Sequence, residues 1–169
     1  MTPKSLLRHK QCVSNISEFV SKSSFHRVLE DDAYKKENNL ISLKKDNQIK
    51  KVVMCSGKIY YDLIEEREKT KNSDIVFIRL EQLYPFPAKT LAKVLKKYKK
   101  AKFVWCQEEP KNMGAWNTVR NYIERTLEMI NLKDINIKFV GRSASATTAT
   151  GNANKHLAQQ KEILEKILK

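Results

Sequence analysis

The sequence predicts an α/β fold, a mostly parallel sheet with helices on both faces, and three observations carry that expectation. Four short apolar runs, KVVMCSG (51–57), DIVFIRL (74–80), KFVWCQEE (102–109) and NIKFVGR (136–142), recur along the chain. They are apolar nearly throughout, as strands buried on both faces are, and do not alternate like strands wet on one side. Each is followed by a stretch with helical spacing, and strand-then-helix units in series close into a parallel sheet through right-handed crossovers.

Taken in order, IYYDLIEEREKTK (59–71) places Ile59, Leu63 and Ile64 on one face and Glu65 four residues ahead of Lys69, a spacing that supports a helix. PAKTLAKVLKKY (87–98) is the second helix, with Pro87 suited to a first turn. GAWNTVRNYIERTLEMI (114–130) is the third, with an apolar stripe of Trp116, Val119, Ile123, Leu127 and Ile130. Residues 152–169 form a last helix around Leu157, Leu164 and Leu168. Residues 1–49 follow no single periodicity. MTPKSLLRH, a polar stretch through Ser24, FHRVLEDD and the lysine- and asparagine-rich YKKENNLISLKKDNQ read as an arm or the tail of another unit, joined by a surface connection to a domain over 50–169.

Composition bounds the function. At 169 residues the chain matches one domain with an appendage, and a hydrophobic fraction of 41% is enough for a core. No stretch nears the roughly 18 apolar residues of a membrane span, and MTPKSLLRHK lacks the apolar centre of a signal peptide. A soluble chain in a reducing compartment is expected. Cys12, Cys55 and Cys106 are odd in number and far apart, so neither a disulfide framework nor a zinc site is indicated; Cys55 and Cys106 read as small core hydrophobes. The net charge of +14 raises nucleic-acid binding. The densest block, 87–102, holds seven lysines and no acid, with Lys89, Lys93, Lys96 and Lys100 on one helical face and Leu91, Val94, Leu95 and Tyr98 on the other. Arginine is scarce there, aromatic residues do not interleave the lysines, and no nucleic-acid-binding signature is present. A lysine-rich module for anions or nucleic acid is therefore the runner-up, with a solvated surface as the simpler reading.

In open parallel sheets, binding gathers at the carboxyl ends of the strands. The loops there are 56–58, 81–87, 107–114 and 141–151. The second half of the third strand, with the turn and helix start after it, reads WCQEEPKNMGAW (105–116). Neighbouring strand residues point to opposite faces, so Glu108 and Glu109 do not form an acid–base dyad; one of them is expected to pair with a lysine or cap helix amides. Asn112, Met113 and Gly114 make a turn into the helix. Dinucleotide, P-loop and hydrolase-elbow motifs are missing, and His9, His26 and His156 are too dispersed to ligate a metal. Arg142 opens a small, polar loop and is a candidate to hold an anion.

MTPKSLLRH, VVMCSGKIYYDL, IRLEQLYPFP, FVWCQEEPKNMGAW, VGRSASA and a final helix with HLAQQKEIL, in this order, resemble the carboxyl-terminal part of the thiamine diphosphate-dependent decarboxylating component of 2-oxoglutarate dehydrogenase. The resemblance covers nearly the whole chain. It implies a transketolase C-terminal-domain-like fold over 50–169, preceded by the end of a pyrimidine-binding domain over 1–49, with Met1 an internal methionine of a longer protein. It implies thiamine diphosphate and magnesium in the parent enzyme but none on this chain, which lacks the G-D-G motif of the diphosphate site; no catalytic residue is assigned. The implied partners are upstream domains of the same enzyme, the second subunit of a homodimer and the lipoyl succinyltransferase component, in a bacterial cytoplasm or mitochondrial matrix. Gln82, Glu108, Asn112, Trp116 and Arg142 are the interface or anion-site candidates.

If the lysine face is only a solvating surface, Lys93→Gln with Lys96→Gln should change stability by no more than ~0.5 kcal/mol. Fluorescence anisotropy at two salt concentrations should find shallow, salt-sensitive association with nucleic acid; a sequence-selective complex lost in this double variant would favour the binding module.

Overall fold

The computed structural model describes residues 3–20, 22–35, 40–132 and 135–169, so Met1 and part of the 34–48 connection lie outside the described residues. The elements are β1 (Val28–Leu29), β2 (Lys51–Cys55), α1 (Ile59–Thr70), β3 (Ile75–Leu80), α2 (Ala88–Leu95), β4 (Lys102–Pro110), α3 (Trp116–Met129), β5 (Lys138–Arg142) and α4 (Ala153–Leu168). The sheet order is β1-β3-β2-β4-β5. Strands β2 to β5 run parallel and β1 pairs antiparallel with β3. The mostly parallel α/β architecture expected from the sequence is the one observed.

Both faces of the sheet are covered. Along β2, Val52 and Met54 face one core with Val76, Ile78, Phe103 and Trp105, closed by Leu91 and Leu95 of α2 and by Val119, Ile123 and Leu127 of α3. Val53 and Cys55 face the other, with Phe77, Val104 and Cys106, closed by Ile59, Leu63 and Ile64 of α1 and Ile163 and Ile167 of α4. This two-sided burial is why the central strands carry no polar alternation.

Two helix details differ from the sequence reading. The α2 helix stops at Leu95, so Lys100 does not extend its lysine face; Tyr98 instead folds back, fully buried, with its hydroxyl 3.0 Å from that of Tyr34. In α4 the buried positions are Ile163 and Ile167, while Leu157 is 65% exposed because the first half of the helix projects past the core. The carbonyl end of α4 is tied down from the sheet side: Lys51 Nζ donates to Ile167 O and Asn72 Nδ2 to Leu168 O, at 2.5 and 3.4 Å. These bonds satisfy carbonyls that a helix end leaves without partners.

Residues 28–34 do more than connect. Sequence periodicity shows no strand in 1–49, yet Val28 and Leu29 add an edge strand to β3. Two residues later the Asp31 carboxylate continues the pairing by side chain, its Oδ2 accepting the Phe77 amide at 2.8 Å. The same carboxylate receives Arg67 of α1 in a two-point pair at 2.5 and 3.0 Å and the Ala33 amide at 2.9 Å; Asp31 is 1% exposed and Arg67 fully buried. The Arg67 guanidinium lies 4.8 Å from the centre of the Phe77 ring. Next to it, Asp32 Oδ2 accepts from the Tyr60 hydroxyl at 2.9 Å, and Arg79 stacks on the Tyr60 ring at 4.1 Å.

Removing one member of a buried, hydrogen-bonded ion pair strands the other charge out of water, at a cost of roughly 3–5 kcal/mol. Asp31→Ala should therefore lower the unfolding free energy, read by urea denaturation, by about that amount. A loss below ~1 kcal/mol would show that the 28–34 segment is not structurally joined to the sheet.

Candidate functional site at the carboxyl edge of the sheet

At the carboxyl end of β4 the pairing with β5 jumps from Cys106↔Val140 to Pro110↔Arg142, so four residues of β4 advance against two of β5. This bulge carries the QEEP stretch, and Gln107, 3% exposed, sits at its centre. Gln107 Oε1 accepts from the Trp105 indole N–H at 2.9 Å and from the Trp116 amide at 3.0 Å. Its Nε2 donates to Met113 O at 2.7 Å and Pro110 O at 3.2 Å, with Glu109 O at 3.4 Å. A carboxamide has two acceptor positions and two N–H groups, and all four are in use. Since Ala115, the residue just before α3, offers no side-chain cap, the Gln107 carbonyl supplies one for the first helical amide.

Gly114 fits this arrangement for two reasons. Its φ is +68°, and a Cβ there would lie 2.9 Å from Gln107 Nε2 and 3.1 Å from Glu109 Cβ. Gly141 of β5 is held by contact alone: a Cβ would meet Phe139 Cζ at 2.5 Å and Gln107 O at 2.9 Å.

Four of the five sequence candidates surround this glutamine. Trp116 is 5% exposed, its ring tilted against Phe139 at 5.3 Å, so it belongs to the core. Asn112 pairs in both directions with Ser145, its Nδ2 donating to Ser145 O at 2.9 Å and its Oδ1 accepting Ser145 N at 3.0 Å. Arg142 donates from Nε to Glu108 O and from Nη2 to Thr148 O, each at 2.6 Å. Its guanidinium thus binds the 143–151 loop to the bulge through carbonyls. Glu108 meets Lys58 at 3.0 Å, and Lys58 also bonds Asp62, which accepts Gln160 Nε2 of α4 at 2.9 Å. Burial disfavours the Lys58 charge, but the bonds to Asp62 and Glu108 outweigh it and raise the ammonium above its ordinary pKa. Glu109 is exposed, whereas Glu108 is half-buried against Lys58.

Gln82 stands apart. It follows β3, two strands from β4, where its amide donates to Arg27 O at 3.2 Å and its Nε2 to Pro85 O at 2.5 Å. A shallow hollow beside it is lined by Phe25, His26, Arg27 and Thr90. Cys55 and Cys106 are buried as expected, and burial pushes the Cys55 thiol up to about 12 and the Cys106 thiol well above its usual value, so neither is a nucleophile at neutral pH. Among the described residues no group of three His, Cys, Asp or Glu side chains could hold a metal ion.

The residue that sequence reasoning passed over is Gln107. Its signal was present in the pattern Trp105, Gln107, Gly114, Trp116: a polar side chain on the apolar face of a buried strand, before a turn whose glycine leaves room for it.

The architecture and its bulged fourth strand define a parallel α/β domain whose carboxyl edge is cross-braced by side-chain amides and ion pairs. A model of the family described as 2-oxoglutarate dehydrogenase C-terminal matches residues 13–168, and the chain belongs to that family. The 2-oxoglutarate dehydrogenase E1 component of Brucella anthropi is 53% identical over 168 residues, and those of Brucella ovis and Brucella suis are 52% identical over the same length. Each match covers 99% of this chain and 17% of the relative, so the chain spans about a sixth of the proteins it resembles.

Gln107→Ala should leave the Trp105 indole N–H, the Trp116 amide and the Met113 carbonyl without their partner inside the protein. Each stranded buried group costs about 1–3 kcal/mol, and with partial relaxation a total near ~3 kcal/mol is expected by chemical denaturation, with loss of amide protection over 111–118. Unchanged protection there would remove Gln107 from the centre of this site.

Proposed function

We propose that the chain acts as the C-terminal α/β domain of a thiamine diphosphate-dependent 2-oxoglutarate dehydrogenase E1 component. In that enzyme 2-oxoglutarate is oxidatively decarboxylated and the succinyl group passes to the lipoyl group of the succinyltransferase component. The observation that carries the reading is the 53% identity to a 2-oxoglutarate dehydrogenase E1 component across 99% of the chain. The chain's own contribution is structural: it presents its carboxyl edge to upstream domains and to the second subunit of a homodimer.

The chemistry of the edge supports that assignment. Glu108, Lys58, Asp62, Asn112 and Arg142 spend their polar atoms on one another and on the backbone, which makes a rigid surface. In this reading thiamine diphosphate and its metal are bound by the part of the enzyme outside this span. The tail of the preceding pyrimidine domain and its linker occupy residues 1–49 in the same reading, and the linker joins the sheet through β1 and Asp31. The enzyme operates in a bacterial cytoplasm or mitochondrial matrix; among the described residues no helix is long and apolar enough to cross a membrane.

The test is a chimera in which this chain replaces the matching C-terminal span of the Brucella anthropi enzyme. The chimera should decarboxylate 2-oxoglutarate with thiamine diphosphate and magnesium, while the 169-residue chain alone should show no turnover. An inactive chimera that assembles normally, or turnover by the chain alone, would overturn the proposal.

A further inference from the structure

Eleven large apolar side chains stand exposed among the described residues, and six of them fall in one short arm: Leu7, Val13, Ile16, Phe19, Val20 and Phe25, between 54% and 80% exposed. Soluble proteins rarely leave so dense an apolar patch in water without a use for it. The arm is nevertheless shaped. Residues Lys4–Arg8 and Ile16–Phe19 form 3-10 turns, the second capped by Asn15 Oδ1, which accepts the Ser17 amide at 3.0 Å. Its inner side already has a partner: Leu6 and Cys12 pack on the α1–α4 core, and the His9 ring lies 5.0 Å from Tyr61. One side is thus seated on this domain, and the other is apolar and open.

We propose that the outer side of residues 7–25 is a docking surface for the portion of an E1 polypeptide that this chain does not span, so that the arm works as a wedge between two bodies. The inference rests on the reading of the chain as an E1 C-terminal domain. Three observations select this occupant. The matched relatives are about six times as long as the chain, and the family description places the match at their C-terminal end. Alignment with them over 168 residues takes in the arm, so the arm is part of what the longer enzymes carry. The arm is also basic, with Arg8, Lys10 and Lys22 against Glu18, and Lys4 and Arg27 flank it, which calls for a partner face with an apolar centre and an acidic rim.

The test compares amide hydrogen exchange over residues 7–25 in the 169-residue chain and in the full-length chimera. Exchange should be slower in the chimera by roughly ten-fold or more, as for a segment moved from solvent into an interface. Ile16→Asp with Phe19→Asp should leave the melting temperature of the isolated chain unchanged and abolish the protection in the chimera, and Ile16→Leu with Phe19→Leu should restore it. Equal exchange in the two proteins overturns the proposal. So does an equal drop in melting temperature in both, which would make the arm part of this domain's own core. An isolated chain that runs as a dimer and becomes monomeric on Ile16→Asp with Phe19→Asp would assign the surface to a second copy and also overturns it. Turnover is read separately: a protected arm in an inactive chimera keeps the docking surface and removes the E1 reading, and an active chimera with an unprotected arm does the reverse.

Discussion

The buried pair between Asp31 and Arg67 is the constraint on which the arrangement of the domain turns. Arg67 is on α1, Asp31 on the segment ahead of the parallel strands, and the Phe77 amide that Asp31 also accepts is on β3. A single carboxylate therefore joins a helix, a strand and an extended segment far away in sequence. Two charges are removed from water to do this, a penalty that only close two-point geometry and further hydrogen bonds offset. Both are present, since Asp31 has four donors around it and Arg67 a second acceptor in Ile75 O at 3.3 Å. The pair is weak as a source of net stability and strong as a specifier: other placements of the segment would leave a buried guanidinium unpaired.

Gln107 plays the corresponding part at the other end of the sheet. The β4 bulge would otherwise bury carbonyls and amides without partners, and one neutral carboxamide answers them all. Because the bonds run to the strand, the turn and the first turn of α3 together, these three move as one body. Asn112 and Arg142 extend the bracing to the 143–151 loop, and Glu108 with Lys58 extends it to α1.

Two surfaces of the chain thus contrast. The carboxyl edge of the sheet has its polar groups internally matched, while the arm over 7–25 has apolar side chains that stand open to solvent. An interface formed there draws on apolar burial, and one formed at the braced edge draws on shape and on the rims of ion pairs already made. Such a division fits the proposed role of the chain as the C-terminal domain of an E1 component.

What the sequence determined by itself was local and periodic. Val52 to Cys55, Ile75 to Leu80 and Phe103 to Cys106 declare strands buried on both sides because their apolar runs are unbroken, and Ile59, Leu63 and Ile64 declare a helix face by their spacing. The WCQEEPKNMGAW stretch also announced a strand end, a turn at Gly114 and a helix start at Trp116. The tertiary structure decided the rest. Val28 and Leu29 are too short a run to signal a strand and become one only because β3 has an open edge beside them. Leu157 matches the helical period yet stands in water, since α4 outruns the core beneath it. Arg142, legible as a cation, has its guanidinium committed to carbonyls of Glu108 and Thr148, and Gln107, ordinary as a letter, is a hub. The physical reason is common to these cases. Periodicity encodes which side chains leave water, whereas the partner of a buried polar group is chosen by which chain segments the finished packing brings within about 3 Å of it, and those segments lie up to dozens of residues away.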